Sequence, residues 1–200
     1  MRRVGQLVGG LAVLLLPAFG VRAQTAATYS LQGSGIFVIP GGTAFADTKS
    51  GPGVELQLRR KMSWSSGLWS IGGGVQYSRH DVGAANPLTL TGVFLEPRRV
   101  FEGSSSRFAP YGSLRAAMFQ QSLSAEGTSS SATGGQLNVG GGILIVAGPS
   151  INIDVGATFG LLKFGGYEVT FVEGGGFPVP ASSGTNLVLR AGLAIGLGSK

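Results

Sequence analysis

The stretch from residue 136 to residue 163 constrains the fold most, because apolar or small residues recur there at every second position. A period of two indicates β-strand rather than helix. The segment Gly148-Pro149-Ser150 divides the stretch and is short enough to join two strands as a hairpin. With a three-residue loop, both sets of residues fall on one face of the hairpin: Leu137, Val139, Gly141, Ile143, Ile145 and Ala147, then Ile151, Ile153, Val155, Ala157, Phe159 and Leu161.

The opposite face of this hairpin is polar but carries almost no charge. Its residues are Gln136, Asn138, Asn152, Asp154, Thr158 and several glycines. A soluble barrel would turn Lys and Glu towards water, whereas this face suits a confined wet space. Each strand is about 11 to 13 residues long, against about 5 to 6 in globular proteins and about 9 to 11 for a tilted membrane-spanning strand. The pattern predicts a transmembrane strand pair whose odd-numbered face meets lipid.

The beginning of the chain has the pattern of a secretory signal peptide. A basic Met1-Arg2-Arg3 precedes an apolar run over residues 4–19, and the small residue Ala23 precedes Gln24. The alternative, a membrane anchor helix, is disfavoured because glycines and a proline interrupt a run shorter than about 20 residues. We expect a signal peptide over residues 1–23 and one outer-membrane β-barrel domain over residues 24–200.

Composition excludes several function classes. The formal charge of +6 falls to +3 without Arg2, Arg3 and Arg22, because twelve Lys and Arg (15 − 3) then stand against nine Asp and Glu. We expect no nucleic-acid partner, because the basic run at 59–61 alternates between the two sides of a strand. The chain has no cysteine, which excludes disulfide and thiol chemistry. The 36 glycines have no three-residue period and suit a tightly curved sheet.

The same period of two predicts eight strands, near residues 27–38, 52–63, 69–78, 88–101, 108–121, 136–147, 151–163 and 185–197. The fourth is the least regular, because Phe94 blurs the alternation and Pro97 interrupts strand pairing. No segment after the signal peptide could cross a bilayer as a helix, and only a closed sheet can cross otherwise. Long and short connections alternate, as in barrels with long extracellular loops. We predict an all-β fold, an eight-stranded antiparallel up-and-down transmembrane β-barrel in the cell outer membrane of a diderm bacterium.

These features resemble the small outer-membrane β-barrel family, the OmpA/OmpX-type transmembrane domain. The resemblance covers residues 27–198 and rests on the signal peptide, the eight alternating strands, the glycine-rich outer strands and the strand opening Ala109-Pro110-Tyr111-Gly112. Its motifs are diffuse patterns. One departure is the end of the chain, which reads Leu197-Gly198-Ser199-Lys200 where such barrels usually carry a terminal aromatic residue for the insertion machinery.

Charged side chains predicted to point into the lumen are Glu55, Arg59, Lys61, Arg115, Asp154 and Arg190. Buried charges need partners, so we expect Glu55 to pair with Arg190 or Arg115 and Asp154 to pair with Arg59, on two separate levels. We interpret these residues as structural lumen charges; a gated ion path is the alternative. An eight-stranded barrel is filled by its own side chains, so a porin is not expected.

Ser78, His80 and Asp81 suggest the nucleophile, base and acid of a hydrolase. Asp81, however, projects from the other face of the strand, and His80 is interpreted as a loop residue. We therefore expect no enzyme, and no catalytic, cofactor-binding or metal-binding residues. The runner-up functions are a barrel enzyme that modifies lipid A and a soluble periplasmic ligand-binding β-barrel.

The leading hypothesis is a non-enzymatic outer-membrane barrel with a structural or surface-interaction role. Any specificity would lie in the loops 39–51, 122–134 and 164–184. The expected partners are outer-membrane lipid and lipopolysaccharide, the latter near the outward cations Arg79 and Lys163, and an extracellular ligand at the loops. We expect a monomer without cofactors.

Overall fold

The computed structural model describes residues 27–65, 68–83, 87–101, 107–125, 128–171 and 175–197. The predicted signal peptide lies outside these residues. Within the described ranges, no helix is long and apolar enough to cross a membrane.

Ten strands account for most of the described chain. They are β1 (Tyr29–Gly41), β2 (Gly51–Lys61), β3 (Trp69–His80), β4 (Leu88–Val100), β5 (Phe108–Ala125), β6 (Thr128–Val146), β7 (Ile151–Phe164), β8 (Tyr167–Phe171), β9 (Gly176–Val179) and β10 (Ser182–Leu197). Two single 3-10 turns, Thr43–Phe45 and Ser63–Ser65, lie in the connections.

Eight of the strands close into an antiparallel barrel, which confirms the predicted fold. β1 to β7 pair in chain order, and β10 pairs with both β7 and β1. The seam between first and last strand runs from Tyr29 opposite Leu197 to Gly41 opposite Thr185. Both ends of the described chain therefore lie at one end of the barrel, where β2 is followed by β3, β4 by β5 and β6 by β7. We call this the turn end and the opposite one the loop end.

The side-chain alternation is the reverse of that in a soluble barrel. Ile143, Ile153 and Leu193 are 45%, 36% and 54% exposed on the outer wall, whereas Asn152 and Arg190 are 7% and 5% exposed in the lumen. Apolar residues cover the outer wall along every barrel strand. This distribution contradicts the soluble ligand-binding alternative and fits a wall solvated by acyl chains.

The loop end differs from the sequence prediction in two places. Residues 122–125 and 128–134 are paired strand, because β5 and β6 stay paired up to Ala125 opposite Thr128. The prediction of a loop here was wrong: the Ser and Thr of these strands are compatible with strand but give no hydrophobic alternation. The predicted loop 164–184 contains the hairpin of β8 and β9, and β8 pairs with β6 where Thr128 lies opposite Phe171.

Candidate functional site

The barrel strands direct seven charged side chains into the middle of the lumen, and each is at most 7% exposed. We call this set the charge network: Glu55, Arg59, Glu96, Arg98, Arg115, Asp154 and Arg190. They come from β2, β4, β5, β7 and β10, so the network ties strands from all around the wall. A charge in this setting is stable only when partners replace its hydration.

Glu96 is the centre of the charge network. Its carboxylate lies 2.9 Å from Arg59, 3.0 Å from Arg98 and 2.8 Å from Arg190. Arg115 approaches the same carboxylate at 3.6 Å. One acid therefore contacts all four arginines of the network, and Glu96 is itself fully buried.

The other two acids divide the same arginines between them. Glu55 lies 2.6 Å from Arg115 and 3.3 Å from Arg190, the two partners that the sequence suggested. Asp154 lies 2.9 Å from Arg98 and 3.8 Å from Arg190. The predicted pair of Asp154 with Arg59 is wrong, because Arg59 contacts Glu96 instead.

Neutral side chains complete the network. The Tyr111 hydroxyl donates to Asp154 at 2.6 Å and accepts from Arg190 at 2.9 Å. The guanidinium of Arg98 stacks over the Tyr111 ring at 3.8 Å, and Gln32 donates to Asp154 at 2.8 Å. The predicted separation into two levels is therefore not observed: the contacts join into one connected cluster.

Glu96 and Arg98 were missed by the sequence analysis. They belong to β4, where the alternation is blurred and Pro97 stands between them. The signal was present in the even positions, since Leu88, Leu90, Phe94, Glu96, Arg98 and Val100 are all buried in the lumen. Pro97 points outward, and no pairing is assigned between it and β5. Its proline ring interrupts the ladder without reversing the faces of the strand.

An apolar cluster fills the lumen on the loop side of the charge network. We call it the loop-end plug: Phe45, Leu90, Phe94, Ala117, Phe119, Ala132, Leu162 and Phe164. Phe45 lies in the first long loop and packs edge-on against Phe164 with ring centroids 6.1 Å apart. Arg115 stacks over Phe94 at 3.6 Å, which joins the plug to the network. A smaller cluster of Val100, Ala109 and Tyr111 closes the turn side.

Glycines on the inner wall make room for these large side chains. A Cβ added at Gly142 would lie 2.5 Å from the Tyr111 hydroxyl, and one added at Gly156 would also collide with it. A Cβ at Gly134 would overlap the ring of Phe164. These three glycines thus keep the wall thin where an inward ring lies against it.

The outer wall has an aromatic rim at the turn end. Trp64, Trp69, Phe101 and Phe108 are 73%, 37%, 46% and 44% exposed there, the arrangement typical of a membrane interface. The guanidinium of Arg99 lies 5.6 Å from the Trp69 ring. At the loop end, the outward positions change from Met118 and Leu137 to exposed polar residues further along the β5–β6 hairpin. The apolar belt is therefore bounded at both ends.

Comparison with known proteins agrees with this geometry. No protein-family model matches the sequence, and no curated protein matches it significantly. Neisserial surface protein A superposes with a TM-score of 0.60 at 16% identity, over 87% of this chain and 100% of that one. OprG from Pseudomonas aeruginosa superposes with a TM-score of 0.58 at 12% identity, over 90% of this chain and 100% of that one. A major outer membrane protein from Thermus thermophilus superposes with a TM-score of 0.55 at 14% identity, over 86% of this chain and 100% of that one.

The chain has the fold of the outer-membrane β-barrels. The likeness in fold and the apolar belt of the wall are independent of each other, because one concerns the path of the backbone and the other the chemistry of the side chains. Together they place the protein in the outer membrane.

Ser78 and His80, the candidates for hydrolase chemistry, are brought together at the loop end of the lumen. Ser78 Oγ lies 3.0 Å from His80 Nε2, and His80 Nδ1 lies 3.0 Å from the carbonyl oxygen of Lys49. Since that carbonyl only accepts, Nδ1 carries the proton and Nε2 accepts from the serine hydroxyl. The interpretation of His80 as a loop residue was wrong: it ends β3 and is 1% exposed.

The surroundings of this pair suit a structural role better than a catalytic one. We call the pair the loop-end tether, because it helps to hold the loop at Lys49 against the end of β3. The Lys49 amide donates to the Asp81 carbonyl at 2.9 Å, so Lys49 is bonded to the end of β3 through both of its backbone groups. Asp81 itself is exposed, whereas the His80 ring is buried. A cavity beside the pair has a volume of about 10 Å³, room for about one water molecule. Among the described residues, no group of three or more His, Asp and Glu could hold a metal ion.

Proposed function

We propose that this protein is a non-enzymatic outer-membrane barrel with a structural or surface-interaction role, which it performs with the surface at its loop end. The observation that carries the proposal is the sheet that continues past the apolar belt. From Met118 opposite Gly135 to Ala125 opposite Thr128, β5 and β6 extend about 24 Å, at ~3.4 Å per residue. β8 and β9 add two more strands to this sheet.

The filling of the lumen supports a role on the outer surface rather than in transport. The loop-end plug, the charge network and the turn-side cluster occupy successive parts of the interior. An eight-stranded barrel has space for side chains and little more. A protein of this kind presents a rigid platform to the outside and leaves the permeability of the membrane unchanged.

Four further expectations belong to this proposal. Residues 1–23 direct secretion and are removed. The outward Arg79 and Lys163, both exposed near the loop end, meet lipopolysaccharide phosphates, where a cation near a strand end costs about 0 to 1 kcal/mol. The barrel acts as a monomer, and an extracellular ligand, if bound, contacts the projecting sheet.

A single-cysteine experiment tests the orientation on which this proposal depends. The natural chain has no cysteine, so each introduced thiol reports alone. Ser131→Cys, in the projecting hairpin, should react with a membrane-impermeant maleimide on intact cells. Ser150→Cys, exposed in a turn at the other end, is the matched control and should react only after the outer membrane is permeabilised. The opposite labelling pattern would refute the proposed display of the sheet.

Conductance in a planar bilayer tests the closed lumen separately. The purified full-length barrel should give no stable open channels. Long-lived openings in the unmodified protein would favour the gated ion path, even if the labelling pattern were as expected.

A further inference from the structure

The charge network contains one more positive than negative charge. Among the described residues it has four arginines and three acids, and every one of the seven is at most 7% exposed. Tyr111, Gln32 and the other neutral partners supply hydrogen bonds but no net charge. A buried, uncompensated unit charge is strongly destabilising, so an additional negative charge would stabilise the lumen.

The acids that are present are already saturated. The two oxygens of Glu96 receive contacts from all four arginines, at 2.8 to 3.6 Å. In spite of this, the Nε atom of each of the four arginines has no hydrogen-bond acceptor within the described part of the chain. Hydrogen-bond donors in the network therefore exceed acceptors, just as its positive charges exceed its negative charges.

The cavity of about 10 Å³ at the loop end is lined in part by the loop-end plug, and it is linked to the charge network through one polar side chain. Gln76 lines it and accepts a hydrogen bond from Arg115 at 2.9 Å. Gln136 lines it too, is 6% exposed, and has a buried Nε2 donor to which the described residues offer no acceptor. The other polar residues that line it are Thr48, Ser78, His80, Gln121 and Asn186, and the remaining lining residues are apolar. Among the described residues, no donor reaches the Asn186 Oδ1.

We propose that this cavity holds one small monovalent anion of the halide class, which accepts a hydrogen bond from Gln136 and offsets the excess charge of the arginines. A cavity for about one water molecule excludes sulfate and organic anions by size. A water molecule would fill the same space and satisfy Gln136, but it would leave the charge of the network unchanged.

The first test is the dependence of stability on the anion. The full-length barrel in detergent is unfolded by heat at a fixed sodium concentration while chloride replaces gluconate. A ligand that binds only the folded state raises stability by mass action, so the unfolding midpoint should rise with chloride and saturate. A midpoint that is independent of chloride would overturn the proposal.

Two variants separate a lumen site from a general salt effect. Arg59→Gln equalises the network at three charges of each sign and should weaken the apparent affinity for chloride by about tenfold or more. Arg60→Gln removes the neighbouring arginine, which faces outward over the Tyr29 ring at 5.7 Å, and should keep the full response. Equal responses in both variants would show that chloride acts elsewhere.

Diffraction from the unmodified protein provides a direct measurement that does not depend on the folding of a variant. Crystals grown with bromide in place of chloride should show an anomalous peak between Gln76 and Gln136 in data collected at the bromine absorption edge. Density for water without an anomalous signal there would overturn the proposal.

Discussion

The middle and the loop end of the lumen are both narrow spaces filled by side chains, but the side chains differ in chemistry. The charge network uses buried ions whose stability depends on having every partner in place. The loop-end plug uses aromatic and aliphatic side chains whose packing is non-directional. The network therefore specifies which strands come together, whereas the plug tolerates a change of partner as long as the volume is kept.

Replacing the centre of the network should have the largest effect. Glu96→Gln leaves four buried arginines with two acids, so we expect a loss of about 3 to 5 kcal/mol in the free energy of unfolding. The measurement is denaturant unfolding of the barrel in lipid vesicles. Glu168→Gln, at an exposed position on β8, is the control and should change little. A loss no greater than that of the control would contradict the central role of Glu96.

Truncating the plug should have a smaller effect of a different kind. Phe164 is 1% exposed, and Phe164→Ala should cost about 3 kcal/mol through the cavity it leaves. Adding Ala132→Leu to the Phe164→Ala variant should restore part of this stability, because the plug depends on the volume that its side chains fill. Phe177→Ala, at a half-exposed position on β9, is the control. If Ala132→Leu restored no stability to the Phe164→Ala variant, the plug would depend on specific partners as the charge network does, and the contrast between the two regions would be lost.

The third prediction concerns the wall that both regions lie against. Gly142→Ala would place a Cβ against the Val155 carbonyl oxygen and 2.5 Å from the Tyr111 hydroxyl, which donates to Asp154, at a cost of about 2 kcal/mol. Gly33→Ala, where an added Cβ meets nothing within 4 Å, is the matched control on the lipid-facing wall. If the two variants were equally stable, the inner glycines would not be needed for space.

The smallest effect is expected at the loop-end tether. Ser78→Ala removes one hydrogen bond to His80 and should cost about 1 kcal/mol. Ser78 in the unmodified protein should also resist labelling by a fluorophosphonate probe, since the adjoining cavity admits about one water molecule. Stoichiometric labelling of Ser78 would instead support an activated nucleophile and reopen the enzyme alternative.

The wall could be predicted from the sequence much better than the interior. Alternation over long segments identifies strand and face together, and even β4, with its proline, was placed within one residue at its end. The paired hairpin at 122–134 escaped prediction because its outer positions lie beyond the lipid and have no reason to be apolar. These strands are paired through their backbones, and their sequence shows no alternation of apolar and polar residues.

Partner choice inside the lumen is a different kind of information. Arg59 and Asp154 lie at similar heights along their strands, which is why they were paired in the sequence analysis. The contact actually made by Arg59 is with Glu96, across the interior. Which side chains meet across a barrel depends on strand tilt and stagger, and neither can be read from one strand alone.

Arg190 gives the last strand a particular part in assembly. Of the network residues, β1 to β7 carry three arginines and three acids, so these six balance in charge without β10. Docking of β10 adds Arg190, which contacts Glu55, Glu96 and Asp154 at once. The last strand of the barrel thus contacts all three acids through one side chain, and the same side chain gives the network its surplus positive charge.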